Sequence, residues 1–334
     1  MREFTYSRPS AEDVVLAELR GPDVVAVAGG TELLNWMRLG ILAPRRLLDI
    51  GRLPSRRSIR LVDGDLLIGC LSTLNEIGED PLVRVHATVL AEASLAAASA
   101  QIRNRATLGG NVLQRTRCAY FRAEEPLVFG CNKRAPGTGC GARQGLSDEH
   151  AIFGATAACA ATHPSDPLVA LACLDAQVEI ASATGQRRIP VAELHLTQQE
   201  AREAGLDPAR SETTLRGDEL ITAFRILRRP GSRSTYLKVR ERQSYAYALV
   251  SAAARVHAVD GTVESIAIAL GSVAQRPWRL RRAEAALTGR RLDDAGVRAA
   301  VQLDLRDARP LRGNAYKVGL AASAAVRAVL AVTA

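Results

Sequence analysis

Two glycine pairs, each at the mouth of a short helix-like run, constrain this chain more than any other feature. Ala28-Gly29-Gly30-Thr31-Glu32-Leu33-Leu34 joins a strand-like run, Val24–Ala28, to a helix-like run, Thr31–Leu39. Ala106-Thr107-Leu108-Gly109-Gly110-Asn111 repeats the chemistry further along. Adjacent glycines let backbone N–H groups approach an anion with no Cβ in the way, and a helix start adds a favourable field. Thr31 is placed to cap its helix and to donate to a phosphate oxygen. Two such loops can clasp a diphosphate from both sides. Neither is the G-x-G-x-x-G of a Rossmann domain. Gly137-Thr138-Gly139-Cys140-Gly141-Ala142 comes near that pattern but follows no strand.

The surrounding pattern reads as mixed α and β. Helices are expected at Ala11–Leu19, Leu74–Gly78, His86–Ala100 and Asp166–Asp175; strands at Arg46–Ile50, Ser58–Val62, Leu66–Cys70 and Gln177–Ser182. Thr197–Thr213 reads as a polar loop. After the Arg-Arg-Pro-Gly-Ser stretch that ends the run near Ile221–Pro230, three strands follow at Tyr236–Arg240, Leu249–His257 and Thr262–Gly271. Helices at Arg281–Leu287, Asp294–Gln302 and from about Lys317 close the chain. A domain boundary is expected near 222–230, which 334 residues readily accommodate.

Composition narrows the function. Basic residues outnumber acidic ones, 44 to 35, but the arginines are dispersed and aromatics are only 4%, so a nucleic-acid stripe with stacking platforms is not expected. No uncharged apolar run approaches the ~18–20 residues needed to cross a bilayer. The start, Met1-Arg2-Glu3-Phe4-Thr5-Tyr6, lacks the apolar core of a signal peptide, so a soluble chain without its own export signal is expected. There is no H-E-x-x-H, G-x-S-x-G or Walker loop, and His163 reads as ordering a turn, so the chemistry is expected to belong to a cofactor.

Of six cysteines, Cys70 and Cys173 sit in apolar runs as core thiols. Cys118, Cys131, Cys140 and Cys159 fall in one polar stretch, separated by 12, 8 and 18 residues. Four thiolates can hold a [4Fe–4S] cluster, a tetrahedral zinc or two disulfides, and this spacing lacks the C-x₂-C knuckle common in zinc sites.

The sequence resembles the FAD-binding medium subunit of the molybdenum hydroxylases, the xanthine dehydrogenase, carbon monoxide dehydrogenase and aldehyde oxidoreductase group. The matching residues are Phe4-x-Tyr6-x-Arg8-Pro9, Ala28 to Leu34, and Pro44 with Leu48-Asp49-Ile50. They continue with Gln101-Ile102-Arg103-Asn104-x-Ala106-Thr107-Leu108-Gly109-Gly110-Asn111, His163-Pro164-Ser165-Asp166 and Lys238–Ala246. The resemblance implies an α/β FAD-binding domain of the vanillyl-alcohol-oxidase type at 1–222. Its two subdomains would span about 1–55 and 56–222, with a four-cysteine insertion at 112–165. A C-terminal α+β domain, a three-stranded sheet with helices, would occupy 223–334.

It further implies that Val25, Ala26, Val27, Ala28, Gly29, Gly30, Thr31, Glu32 and Leu33 wrap the FAD diphosphate. Thr107, Gly110 and Asn111 would form the second clasp, with Ala98 beside the flavin and Gln114 a further cofactor contact. Ser165 and Asp166 match a Ser-Asp pair whose carboxylate suits a ribose hydroxyl, and Ile221 and Lys238 match positions lining the flavin. The insertion, with Gln114-Arg115-Thr116-Arg117-Cys118-x-Tyr120-Phe121, Cys131-Asn132-Lys133-Arg134 and His150-Ala151-Ile152-Phe153-Gly154, resembles the periplasmic aldehyde oxidoreductase type. That implies a [4Fe–4S] cluster on Cys118, Cys131, Cys140 and Cys159, with Arg115, Arg117, Lys133 and Arg134 offsetting the thiolates.

The implied function is electron transfer. A substrate, expected to be an aldehyde, would be oxidised at molybdopterin in a separate large subunit. Electrons would pass through [2Fe–2S] clusters of a small subunit to FAD here, then to an external acceptor. The compartment would be the cytoplasm, or the periplasm if a signal-bearing partner carries the chain out. Two alternatives are a free-standing flavin oxidase or reductase, and a zinc-binding scaffold without FAD.

Overall fold

The computed structural model describes residues 2–333, and three sheets organise them. The first is parallel: β1 (Thr5–Ser7) and β2 (Val24–Val27) flank β3 (Arg46–Asp49). Here β2 alternates its side chains. Val25 and Val27 face Leu33, Met37 and Leu47, while Val24 and Ala26 face the main core, so both faces of the strand are used.

The second sheet is antiparallel, in the order β4 (Ile59–Val62), β5 (Asp65–Gly69), β8 (Leu220–Ile226), β6 (Gln177–Ser182) and β7 (Gly185–Pro190). The third is also antiparallel: β9 (Arg233–Val239), β10 (Val250–Val259), β11 (Thr262–Gly271) and β12 (Trp278–Arg279) in the order β12-β11-β10-β9. The expected three-stranded C-terminal sheet thus gains a two-residue edge strand, too short to leave a periodic signal. Helices 281–287, 294–305 and 316–331 cover this sheet; the small residues Ala321, Ala324, Ala325 and Ala328 let the last one pack closely.

Two other expectations change. The helix expected over His86–Ala100 is shortened to Thr88–Ala96, because Ala87 leaves the helical region (φ −148°), and an unexpected helix, Pro81–His86, precedes it, capped by Asp80 through the Leu82 and Val83 N–H groups. The polar stretch after Thr197 contains a helix, Gln198–Glu203, started by a reciprocal Thr197–Glu200 capping box. Among the described residues no helix is long and apolar enough to cross a membrane.

Candidate functional site

The two glycine loops meet. Gly29 lies so close to the second loop that a Cβ added there would stand 1.8 Å from the Arg105 carbonyl oxygen, and Gly30 adopts a left-handed φ of +74°. Thr107 caps the short helix Leu108–Val112 by accepting the Gly110 N–H, while the N–H groups of Leu108 and Gly109 are tied to Ser72 and Cys70. Packing fixes the second loop; the first is left open. Among the described residues the backbone N–H groups of Gly29, Gly30, Thr31 and Glu32 donate to no acceptor within the chain. Four successive unsatisfied donors with no Cβ between the loops form a concavity that suits a diphosphate. The helix itself begins at Leu33, and Thr31 makes no cap bond, which leaves its hydroxyl free as well.

A cleft of about 480 Å³ opens from these loops, lined by Thr31, Glu32, Ala98, Gly110, Asn111, Gln114 and Asp166. Ala28, Gly29 and Thr107 line a smaller cavity of about 190 Å³ on the other side of the junction. Ala98 holds a left-handed φ of +47°, an unusual conformation for alanine and one that turns the backbone into the cleft wall. The two loops are therefore adjacent, with Thr31, Glu32, Ala98, Gly110 and Asn111 on the cleft and Gly29 and Thr107 at the junction, and the open donors of the first loop suit a diphosphate such as that of FAD.

Other expected contacts take different positions. Val25, Val27 and Leu33 are packing residues of a small core with Met37 and Leu47, and Ala26 packs on the main core. Ile221, 3% exposed, lies in the main core on β8 and does not line the cleft, because the strand pairing turns its side chain inward. Ser165 stands behind the cleft: its Oγ donates to Asn111 Oδ1 (2.6 Å) and accepts the Leu168 N–H, so it orients Asn111 and caps the helix Asp166–Cys173. Lys238 reaches the cleft wall by its ion pair with Asp166 (Nζ–Oδ2 2.8 Å), both side chains being buried, and the Tyr236 hydroxyl donates to the same carboxylate. Burial raises the Asp166 pKa, and Lys238 opposes that shift.

The carboxylate of Glu32 is turned away from any anion site. It accepts from Trp36 Nε1 (2.8 Å) and pairs with Arg117 (2.7 Å) and with Arg122. Arg117 stacks at 4.8 Å over Tyr247, which with Arg242 and Tyr245 brings the C-terminal domain onto the cleft. Sequence reasoning missed Tyr247 and Arg242. The signal available was two tyrosines, 245 and 247, close together in a chain poor in aromatics.

Next to the cleft, and sharing Gln114 with it, lies a polar cavity of about 680 Å³. The rings of His163 and His195, both buried, meet there edge to face at 4.5 Å. The Ser165 N–H donates to His163 Nδ1, so this histidine does order the turn. Burial lowers both pKa values, that of His195 to about 4. An unfolded histidine titrates near 6.5. Below that pH the unfolded chain takes up protons that folded His195 refuses, so stability is complete at neutral pH and declines as the pH falls towards 4. Between pH 7 and pH 5 we expect His195 to account for about 2 kcal/mol of lost stability. Urea unfolding at the two pH values checks this: His195→Gln should show a correspondingly smaller loss, and an equal loss would contradict the assignment.

The four-cysteine stretch requires a correction. Cys159 donates to the Cys140 sulfur, which lowers the Cys140 pKa and raises that of Cys159. Cys118 Sγ lies 3.2 Å from His150 Nε2, and Cys131 is joined to Cys140 by a backbone bridge. Among the described residues no group of three or more His, Cys, Asp or Glu side chains is arranged to hold a metal ion. The cations expected to offset thiolates are paired with carboxylates instead: Arg115 and Lys133 with Glu212, Arg117 with Glu32, Arg134 with Glu125.

Known proteins give the same correction and the family. A family model described as the FAD binding domain in molybdopterin dehydrogenase matches residues 2–226, and one described as the CO dehydrogenase flavoprotein C-terminal domain matches 235–332. The chain is 40% identical over 325 residues to the aldehyde oxidoreductase FAD-binding subunit PaoB of Escherichia coli (strain K12), covering 96% of this chain and 95% of that one. It is 25% identical over 293 residues to the glyceraldehyde dehydrogenase medium chain of Sulfolobus acidocaldarius, covering 87% and 83%. Its fold matches carbon monoxide dehydrogenase from Hydrogenophaga pseudoflava, in a form lacking the Mo-pyranopterin moiety, with a TM-score of 0.76 at 25% identity over 99% of this chain and 97% of that one. The family model and the PaoB description name FAD, and among the described residues the four thiols form no metal-holding group, so the expected pair of cofactors, FAD and [4Fe–4S], is corrected to FAD alone. The chain belongs to the FAD-binding medium subunits of the molybdenum hydroxylases, and is the flavoprotein subunit of an oxidoreductase.

Proposed function

We propose that this chain is the electron-transfer subunit of a heteromeric molybdenum hydroxylase that oxidises an aldehyde. In this reading the aldehyde reacts at molybdopterin in a separate large subunit, and electrons cross [2Fe–2S] clusters of a small subunit to reach this chain and then an external acceptor. The observation that carries it is the junction of the two glycine loops, where Gly29 abuts Arg105 and four backbone N–H groups stand free. FAD, when bound, supplies the chemistry of accepting electrons singly and releasing them in pairs.

The chain's own residues bind and orient. The N–H groups of residues 29–32 and the Thr31 hydroxyl would hold the diphosphate. Thr107, Gly110 and Asn111 would close the opposite side, with Ser165 fixing Asn111. Asp166 presents a carboxylate at the cleft wall whose position is set by Lys238 and Tyr236. Gln114, tethered by Arg117 (2.8 Å), borders the same space. We read the binding domain as of the vanillyl-alcohol-oxidase type, with its two subdomains dividing near residue 55, and place the domain boundary at 222/223. We place the assembly in the cytoplasm, or in the periplasm when a signal-bearing partner exports it.

Partner dependence tests the proposal. In the intact assembly, aldehyde added without oxygen should bleach the visible flavin absorption, and the isolated FAD-loaded chain should show no such bleaching. Turnover by the isolated chain would favour a free-standing flavin enzyme instead.

A further inference from the structure

The linker between the two matched family domains, residues 227–234, carries a concentration of positive charge that the flavin site does not use. It borders a cavity of about 220 Å³ lined by Arg228, Arg229, Arg255, His86 and Ser232, and no Asp or Glu lines it. Arg255 on β10 is only 5% exposed. Its Nη2 donates to Asp175 (3.0 Å), while its Nε and Nη1 find no acceptor. Asp175 is already shared, since Arg279 (2.6 Å) and Arg229 (3.7 Å) lean on the same carboxylate. Arg228 makes no ion pair among the described residues, and the buried Ser232 hydroxyl has no partner. Gly231, at φ +77°, makes the tight turn that presents Ser232, and a side chain there would press on His257 (2.9 Å).

Buried guanidinium groups are normally given acceptors, and leaving one short of them in a low-dielectric pocket is costly. Arg279 has a second carboxylate in Glu284 (2.7 Å), so the charge in excess comes from the three arginines that line the cavity, Arg228, Arg229 and Arg255, which together have only a share of Asp175 in a space of small-ion size. An oxyanion supplies what is missing: several acceptor oxygens and negative charge, in the geometry that guanidinium binds best.

We propose that this cavity is a binding site for a phosphate-type oxyanion that ties the interdomain linker to β10 and to the helix Pro81–His86. The site is independent of the flavin reading, so each can fail alone. The test is thermal unfolding of the FAD-loaded full chain in its native assembly, titrated with inorganic phosphate against chloride at constant ionic strength and pH. Phosphate should raise the unfolding temperature saturably. Arg228→Gln/Arg229→Gln, which alters exposed side chains and should fold normally, should weaken phosphate binding at least about tenfold while flavin content stays unchanged. Nucleoside monophosphate and sulfate arms identify the source. A response to the monophosphate assigns phosphate carried on a larger molecule, and a response to inorganic anions alone assigns a free ion; each supports the site. Phosphate acting no differently from chloride, or acting equally on the double variant, would overturn it.

Discussion

Gly29→Ala should weaken FAD binding and lower the flavin content of the purified protein while leaving most of the fold in place. The added methyl would occupy a point 1.8 Å from the Arg105 carbonyl oxygen, far inside contact distance, and the obstacle is backbone, which cannot rotate away. Relief requires the two loops to separate, which displaces the donors of residues 29–32 from Thr107, Gly110 and Asn111. Overpacking of this kind costs about 1–3 kcal/mol, and each 1.4 kcal/mol passed to binding is tenfold. FAD affinity should fall by about ten- to a hundredfold, measured by flavin-to-protein ratio and fluorescence titration. Gly40→Ala offers a control, since it is a positive-φ glycine with open space around it and lies outside the clasp. Full flavin retention in Gly29→Ala would show that the loop junction does not hold the cofactor.

Lys238→Met should be the most destabilising substitution among the cleft residues. Lys238 and Asp166 are both buried, and the lysine ammonium also donates to the Ala96 carbonyl oxygen (3.1 Å). Removing one partner leaves the Asp166 carboxylate in a low-dielectric site with Tyr236 alone to serve it, at a cost of about 3–5 kcal/mol. The effect should show in denaturant unfolding. Because burial already raises the Asp166 pKa, loss of the lysine should drive the carboxyl further towards its neutral form. The variant should then lose stability as the pH rises above the ordinary carboxylate range, since the folded state holds a proton that the unfolded state releases. Asp166→Asn/Lys238→Met, which removes both charges, should recover much of the loss. A neutral Lys238→Met would mean that the pair is not a buried charge interaction.

Much of this architecture is legible in the residues because the signals are local. The glycine pairs, the Asp63-Gly64 turn between β4 and β5, and the alternation through β10 and β11 act over a few residues, and each element formed close to its expected place. What was illegible depends on distant partners. Ala87 leaves the helical region and separates Thr88–Ala96 from the helix that Asp80 and Pro81 start. The Thr197–Glu200 capping box was readable, but it sat in a polar stretch without apolar periodicity. Within the candidate site, the Gly29-Gly30 pair and Thr31 stand out by their local chemistry, whereas Gly110 and Asn111 were named as cofactor contacts through the family resemblance. Tyr247 and Arg242 come from the other domain, and Ile221 matched a motif position whose side chain the sheet turns into the core. The cysteines show the limit most plainly. Their proximity in sequence suggested a cluster, whereas their neighbours, His150 and each other, are set by tertiary packing.

The most direct measurement is the FAD content of the gently purified protein, followed by titration of the stripped chain with FAD. One tightly held flavin per chain, restored on titration and bound about ten- to a hundredfold more weakly by Gly29→Ala, is the result expected from the loop junction. A wild-type chain that carries no flavin and takes none up would contradict the cradle, and the electron-transfer role with it.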